Sequence, residues 1–422
     1  MVIGGHHFYF DPALEEVRHD NKAMFRGKIA KAFKVFQKKA EINPRLKKLI
    51  DLKKEMKIDH VEGWATLHIL IDEKDLYSET GIISNAHRKG PLWERPIYFD
   101  YYENQNLIMG TMAGMRLHGG KSRSHKLGAI NSFRVYLRNR YGAKSMPTEF
   151  KIGDSNYSFN RFVVHHDEPK DKKYINDFAY FITRFFGGDA PDTKPVRVFI
   201  NGQFYSYCYL VEHQAEKHLK KKYDSKDLTY YRLKSDNDRQ NRIAFKKIMT
   251  FIKHAPARLK LSEVEKYIDI QSYMTSVFPI IFLGTTDYDQ GVVYQLKDQK
   301  DSRWKYLNWD MDHSFYDLKL RAPKDEPWLK EGVDLLLKRD GSTLRSKIFR
   351  RLISESDEFR VLFKSYALNQ LNRLTPDVWL SRIKMYEELN QAASIDNQKH
   401  FEFLKMWFPK RIEFIKKEIE LL

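Results

Sequence analysis

The sequence predicts an α+β protein of two lobes, a β-rich N-terminal one and a mostly helical C-terminal one. Three observations predict it. At 422 residues the chain exceeds what one hydrophobic core usually serves, so a second is expected. Short strand-like runs separated by glycine-rich turns fill the stretch after Asp59, and helical spacing dominates after Gln214.

The elements follow in order. From Glu15 to Met56 the residues Phe25, Ile29, Ala32, Phe33 and Phe36 recur at helical spacing among many lysines, which predicts a basic helical extension over residues 1–58, broken at Asn43-Pro44. Residues 59–212 form the β-rich lobe, with strands over Ala65–Leu70, Ile97–Tyr102, Met115–His118 and Phe133–Leu137. A helix over Tyr174–Phe186 follows. Pro195–Ile200 and Tyr205–Val211 then flank Asn201-Gly202, the strongest hairpin signal in the chain, because both turn residues tolerate positive φ. Residues 213–422 form the helical lobe. It opens with a helix over Gln214–Lys222 and a polar stretch over Lys234–Asn241. One compact β-like segment, Gly291–Trp309, interrupts it; from Ser342 the pattern is helical to the end, with a break at Thr375-Pro376.

Hydrophobic residues at 42% are ample for packed interiors, and charged residues at 31% leave a solvated surface, so a disordered chain is excluded. The net charge of +18 concentrates anionic partners near the surface: nucleotide, nucleic acid, acidic polymer or anionic lipid. Cys208 is the single cysteine, which rules out an intrachain disulfide and a thiolate zinc site. Residues Met1 to Pro12 lack the basic start and apolar run of a secretory signal. No apolar stretch approaches the roughly 20 residues of a membrane span, so a cytoplasmic protein is expected.

Neither a His-Glu-x-x-His pair, a Gly-x-Ser-x-Gly elbow nor a phosphate-binding P-loop occurs, and no specific nucleic-acid motif appears. Carboxylates carry the remaining chemistry. In Leu307-Asn308-Trp309-Asp310-Met311-Asp312, two acids spaced two apart follow a strand-like run. They either share a divalent cation that takes oxygen ligands or cap the next turn. Upstream, Ile280-Ile281-Phe282-Leu283-Gly284-Thr285-Thr286-Asp287 ends an apolar helix and releases an acid, as a catalytic loop or as a surface turn. Together the two segments give the order of a phosphotransferase, base first and metal ligand one hairpin later.

This order resembles the CotH (spore coat protein H) kinase family, in which an Asp-bearing loop precedes two strands and a Trp-Asp-x-Asp motif. Arg116-Leu117-His118-Gly119-Gly120-Lys121-Ser122-Arg123 is similar to that family's Arg-x-x-Gly-x-Ser-x-Arg turn. Ser132-Phe133-Arg134-Val135 is similar to the strand after it, and Val198 to Glu212 to its strand-Asn-Gly-strand-Glu signature. The lead-in Gly81-Ile82, Asn85, Lys89-Gly90 and Trp93-Glu94-Arg95-Pro96, and the late Trp407 to Arg411 stretch, agree too, so the likeness spans Ala65 to Leu422. The resemblance implies an atypical protein-kinase-like fold that transfers the γ-phosphate of ATP, with Mg²⁺ or Mn²⁺, to a Ser, Thr or similar hydroxyl. It implies Asp287 as the catalytic Asp and Asp310 as the metal ligand, with Asp312 beside it. Gly119, Gly120, Lys121 and Arg123 would meet the phosphates, and the Tyr209–Glu212 segment, with Val211 and Glu212, would pass the adenine.

Two positions depart from that pattern. No Asn lies between Asp287 and Tyr294, and Gln290 is the nearest substitute as a metal ligand. Asn131-Ser132-Phe133 stands where the family has Lys-Ser-Phe, so Lys126, then Arg123, are the replacement cations over the phosphates. The competing reading is a kinase-like scaffold without transfer, which holds an anionic partner or polymer on its basic surface. Hydrolysis by Asp310 and Asp312 as a carboxylate pair is a third, for which their spacing is too close.

Overall fold

The computed structural model describes residues 2–3, 6–11, 16–19, 22–25, 44–52, 61–120, 123–126, 129–155, 157–166, 174–233, 245, 247–248, 250–252, 254, 258–288, 290–315, 326–329, 332–337 and 344–422. The chain divides into two compact units, Met1–His166 with Thr193–His213, and Asp167–Asp192 with Gln214–Leu422. The helix expected over Tyr174–Phe186 thus groups with the second unit, and the hairpin after it with the first.

In the first unit, β1 (Val2–Ile3), β2 (His6–Asp11), β3 (Glu16–His19) and β4 (Lys22–Phe25) form a small antiparallel sheet. This corrects the helix expected from Glu15 onward at residues 16–19 and 22–25 alone. The helical spacing was anchored on Phe25, Ile29, Ala32, Phe33 and Phe36, and all but Phe25 lie outside the described residues. In Glu16–Phe25 the ladder pairing of Val17 with Phe25 takes over. The α1 helix (Pro44–Leu52) starts at the predicted Asn43-Pro44 break. It sets Leu49 and Ile50 against Leu70, Met112, Tyr98 and Tyr141.

The remainder of this unit is a closed barrel. Its strands are β5 (Ala65–Leu70), β6 (Arg95–Glu103), β7 (Asn106–Leu117), β8 (Phe133–Tyr136), β9 (Arg161–His165), β10 (Thr193–Ile200) and β11 (Gln203–Val211), with α2 (Glu73–Tyr77) after β5. Alternate side chains point inward, and Leu67, Ile97, Phe99, Tyr101, Ala113, Val135, Phe162, Val164, Val198 and Leu210 fill the interior. The Asn201-Gly202 turn is as predicted, with φ of 52° and 81°. Closure comes from β10 pairing in parallel with β5, Val196 opposite Ala65. Parallel partners need a long crossover, and here the intervening strands supply it.

The second unit contains α3 (Ile175–Phe185), α4 (Glu216–Lys222), β12 (Leu228–Arg232), α5 (Leu261–Glu265), α6 (Ile270–Leu283), β13 (Val292–Leu296) and β14 (Lys305–Leu307). The helices α7 (Asp334–Leu337), α8 (Leu344–Glu355), α9 (Asp357–Arg373), α10 (Pro376–Ala392) and α11 (Gln398–Glu420) follow. β12, β13 and β14 form an antiparallel three-stranded sheet. The predicted β-like segment Gly291–Trp309 supplies two of its strands; the polar stretch Lys234–Asn241, like Lys121 in the first unit, lies outside the described residues. The core is aromatic: Trp407 and Phe408 of α11 pack on Phe282 of α6, on Phe178 of α3 and on Phe315.

Candidate functional site

In the second unit, Asp287 and Asp310 stand on two loops that the local chemistry ties together. α6 begins where the Asp269 carboxylate accepts from the Ser272 N–H at 2.9 Å, an N-cap, and ends at Gly284, whose φ of 61° suits a left-handed C-cap. The chain then releases Thr285, Thr286 and Asp287. The partner loop leaves β14 at Leu307 and carries Asp310 and Asp312. Thr286 N–H donates to the His313 carbonyl at 3.1 Å, and Phe315 N–H to the Leu283 carbonyl at 2.9 Å. The hydroxyls of Thr285 and Ser314, both buried, share a bond at 2.8 Å.

Each acid has a defined setting. Asp287 is half-buried and its Oδ2 accepts from Gln290 Nε2 at 2.8 Å. The Arg345 guanidinium from α8, itself buried, fixes the rest of this loop by donating to the Tyr288 carbonyl at 2.8 Å and the Gln290 carbonyl at 3.3 Å. Asp310 adopts φ of 62°, a left-handed conformation uncommon outside glycine and often found at functional sites. Its N–H donates to the Tyr180 hydroxyl at 3.1 Å, and the next N–H, of Met311, to Asn176 Oδ1 at 2.8 Å, so two polar side chains of α3 hold the turn. Asn308, buried, donates to the Ser276 carbonyl at 3.0 Å from its amide and to the Asp189 carbonyl at 2.8 Å from its backbone. Asp312 is exposed, 3.9 Å from His313 Nε2.

The predicted acids therefore belong to two joined loops of one unit, and Gln290 to the same loop as Asp287. Among the described residues no group of three His, Cys, Asp or Glu side chains could hold a metal ion unaided. A divalent cation carried in with a polyphosphate needs only one or two protein carboxylates, and the oxygen donors of Asp310, Asp312 and Gln290 suit Mg²⁺ in kind. The residues that hold the loops, Tyr180, Asn176, Asn308, Thr285, Ser314 and Arg345, were not expected. Only the Thr285-Thr286 pair beside Asp287 carried a local signal.

The residues expected at a nucleotide stand in the first unit. Gly119 has φ of 100°, so the turn after β7 needs glycine there, whereas a side chain at Gly120 would meet nothing within 4 Å. Arg123 donates from Nη1 to the Arg88 carbonyl at 2.8 Å. Lys126 is exposed and lines a cavity at one end of the barrel with Leu76, Met115, Phe133, Phe204 and Tyr205. Val211 ends β11 in register with Val163 and Thr193, and the fully buried Glu212 accepts from the Tyr157 hydroxyl, a structural engagement.

The order of these motifs, with loops that present acids beside a strand pair, is the order expected of a kinase-like protein. The CotH kinase protein family model matches residues 115–421, and the chain belongs to that family. Among solved structures it is similar to a proinflammatory kinase of Helicobacter pylori, CtkA, at 9% identity and a TM-score of 0.33 over 77% of this chain and 91% of that one. It is also similar to the Golgi casein kinase, at 8% identity and a TM-score of 0.28 over 89% and 77%. Likeness this low leaves the assignment to the family match. Among curated proteins, none matches the chain. Among the described residues, no helix is long and apolar enough to cross a membrane.

Proposed function

We propose that the chain is an ATP- and divalent-metal-dependent phosphotransferase with a two-lobed kinase-like arrangement, acting on a Ser, Thr or similar hydroxyl of a protein or other acceptor. The observation that carries this reading is the hydrogen-bonded junction of the Asp287 and Asp310 loops, within a chain of the CotH kinase family. Asp287 accepts the acceptor's hydroxyl proton, and Gln290 orients its carboxylate. Asp310, with Asp312 and Gln290, supplies oxygen ligands for Mg²⁺ or Mn²⁺; the ion, when bound with ATP, neutralises charge on the phosphates. In the barrel unit the Gly119-Gly120 turn offers backbone N–H groups to the phosphates, Arg123 and Lys126 supply charge, and backbone groups near Val211 meet the base. The protein's contribution is then positioning and electrostatics, as phosphoryl transfer requires.

One observation favours a scaffold without transfer: the bond from Gln290 to Asp287 engages the amide that stands where the family has Asn. A single comparison separates the two. Purified protein and Asp310→Ala are assayed for transfer of labelled γ-phosphate to a generic protein acceptor and to themselves, with Mg²⁺ or Mn²⁺, alongside ATP-dependent thermal shift. Transfer that falls by at least ~10²-fold in Asp310→Ala supports the enzyme. ATP binding without transfer supports the scaffold.

A further inference from the structure

The helix that holds the Asp310 turn is itself held by a buried ionic cluster that the phosphotransferase reading leaves unused. α3 is buried on nearly every side: Ile175, Phe178, Ala179 and Ile182 lie inside the unit along with Asn176, Asp177, Tyr180 and Thr183. Apolar contact is non-directional, so it fixes where such a helix lies better than how far it is turned about its own axis. Hydrogen bonds are directional and can set that rotation. Asn176 and Tyr180 stand one turn apart on one face and receive the N–H groups of Met311 and Asp310. Asp177 lies about 100° round the axis from Asn176, and its partners are on α10.

α10 meets α3 along one stripe, Arg382, Tyr386 and Asn390, spaced a helical turn apart. The Arg382 guanidinium and the Tyr386 hydroxyl both donate to Asp177 Oδ2, and Arg382 Nε donates to the Tyr386 hydroxyl at 2.9 Å. The hydroxyl of Tyr174, the N-cap of α3, donates to Asn390 Oδ1, and its ring stacks on that of Tyr386 with centres 4.3 Å apart. Burial pushes the Arg382 guanidinium down, but the charge of Asp177 and the contacts with Tyr386 outweigh it and leave the group above its ordinary value. Asp177 is 2% exposed and Tyr386 fully buried. Well-packed apolar residues often stabilise a core as well as a buried ion pair does, so stability alone does not account for the cluster.

We propose that Asp177, with Arg382 and Tyr386, is a positioning residue for the Asp310 carboxylate: the cluster locks α3 in the rotation at which Asn176 and Tyr180 hold the Asp310 turn, and so sets the affinity of that turn for a divalent cation. The inference rests on the reading of Asp310 as a metal ligand. Side-chain atoms ride about 5–6 Å from a helix axis, so a rotation of about 20° shifts them by roughly 2 Å, more than a hydrogen bond tolerates. Asp310 has φ of 62°, and a conformation of that kind persists only where the surroundings impose it. Release of α3 therefore frees the turn.

Loop and ion are tested separately, on the full chain. Amide hydrogen exchange is followed by mass spectrometry over residues 308–315, and Mn²⁺ affinity is measured by EPR titration with a non-hydrolysable β,γ-imido analogue of ATP. Asp177→Asn and Tyr386→Phe are each expected to speed exchange in that segment and to weaken Mn²⁺ binding by about 10-fold, as loss of a group that orients a metal ligand does. Tyr386→Phe removes one hydroxyl and keeps the ring, so the test stands where Asp177→Asn does not fold. Ser356→Ala, which removes the N-cap of α9, destabilises the same unit and is expected to move neither readout. Unchanged exchange or unchanged Mn²⁺ affinity in a folded variant, or equal changes in Ser356→Ala, overturns the proposal alone. Absence of Mn²⁺ binding by the wild type, or equal binding by Asp310→Ala, overturns the reading of Asp310 and the proposal with it.

Discussion

Thr286 and His313 are joined backbone to backbone at 3.1 Å, and through that bond the loop of Asp287 is held against the loop of Asp310. The neighbouring hydroxyl pair of Thr285 and Ser314 is buried, with Thr285 only 1% exposed. Replacing Thr285 by valine keeps the shape but leaves the Ser314 hydroxyl short of this partner, a loss of about 1–3 kcal/mol. Thr285→Val is expected to lower the urea midpoint accordingly and to reduce phosphate transfer by about 10-fold, since misplacement of either acid slows transfer. Equal transfer rates in a destabilised Thr285→Val would separate the junction from the chemistry.

Arg411 reaches from α11 to the end of α6. Its Nε and Nη2 donate to the Phe282 and Ile281 carbonyls, and its Nη1 to the Trp328 carbonyl, each at 2.7 Å. Those carbonyls include helix-terminal groups that no N–H within the helix can satisfy. Burial pushes the guanidinium below its ordinary value, partly offset by Glu418, and the three carbonyls support the charge there. Arg411→Met is expected to cost about 3 kcal/mol or more by leaving buried carbonyls unpaired. Thermal denaturation measures the loss, and a melting temperature within error of wild type would refute this account.

Local signals made much of this legible. Asn201-Gly202 between two aromatic and β-branched runs fixed the β10–β11 hairpin because only residues that tolerate positive φ turn so tightly. The Leu283-Gly284 helix end and the strand before Asp310 were readable for the same reason: each is decided by a few neighbouring residues. Barrel closure was not, because Val196 pairs with Ala65 across the whole β-rich half and nothing near either residue encodes it. The helical spacing around Phe25 misled because a sheet contact, Val17 with Phe25, outweighs periodicity in so short a run. Arg411 and Arg345 carry no motif; their partners are backbone carbonyls, which any sequence possesses.

Glu94 makes stability depend on acid. Burial raises its pKa, but the charges of Arg116 and Arg138, the hydrogen bond from Arg138 and the charge of Arg140 outweigh it and bring the carboxyl down to about 2, from 4.5. A depressed folded-state value contributes stability above pH 4.5, and that contribution is lost as pH falls toward 2; its size is on the order of 3 kcal/mol. Glu94→Gln is expected to lower the denaturant midpoint at neutral pH and to flatten its fall through this window. Parallel midpoint curves for the two proteins between pH 5 and 2 would place the acid sensitivity elsewhere.

The backbone of Asp310 provides a test that separates conformation from charge. Its φ of 62° is costly for a residue with a Cβ and free for glycine, and aspartate tolerates it better than alanine does because its side chain can bond locally. Asp310→Gly and Asp310→Ala both remove the carboxylate, so both are expected to lose transfer to the same background. They differ in strain: the glycine variant is expected to be more stable than the alanine variant by about 1 kcal/mol, less the extra freedom glycine gives the unfolded chain. Urea unfolding of the pair measures the difference. If alanine proves the more stable, the left-handed turn is not maintained in solution, and the bonds from Asp310 to Tyr180 and from Met311 to Asn176 do not hold the loop in the conformation described.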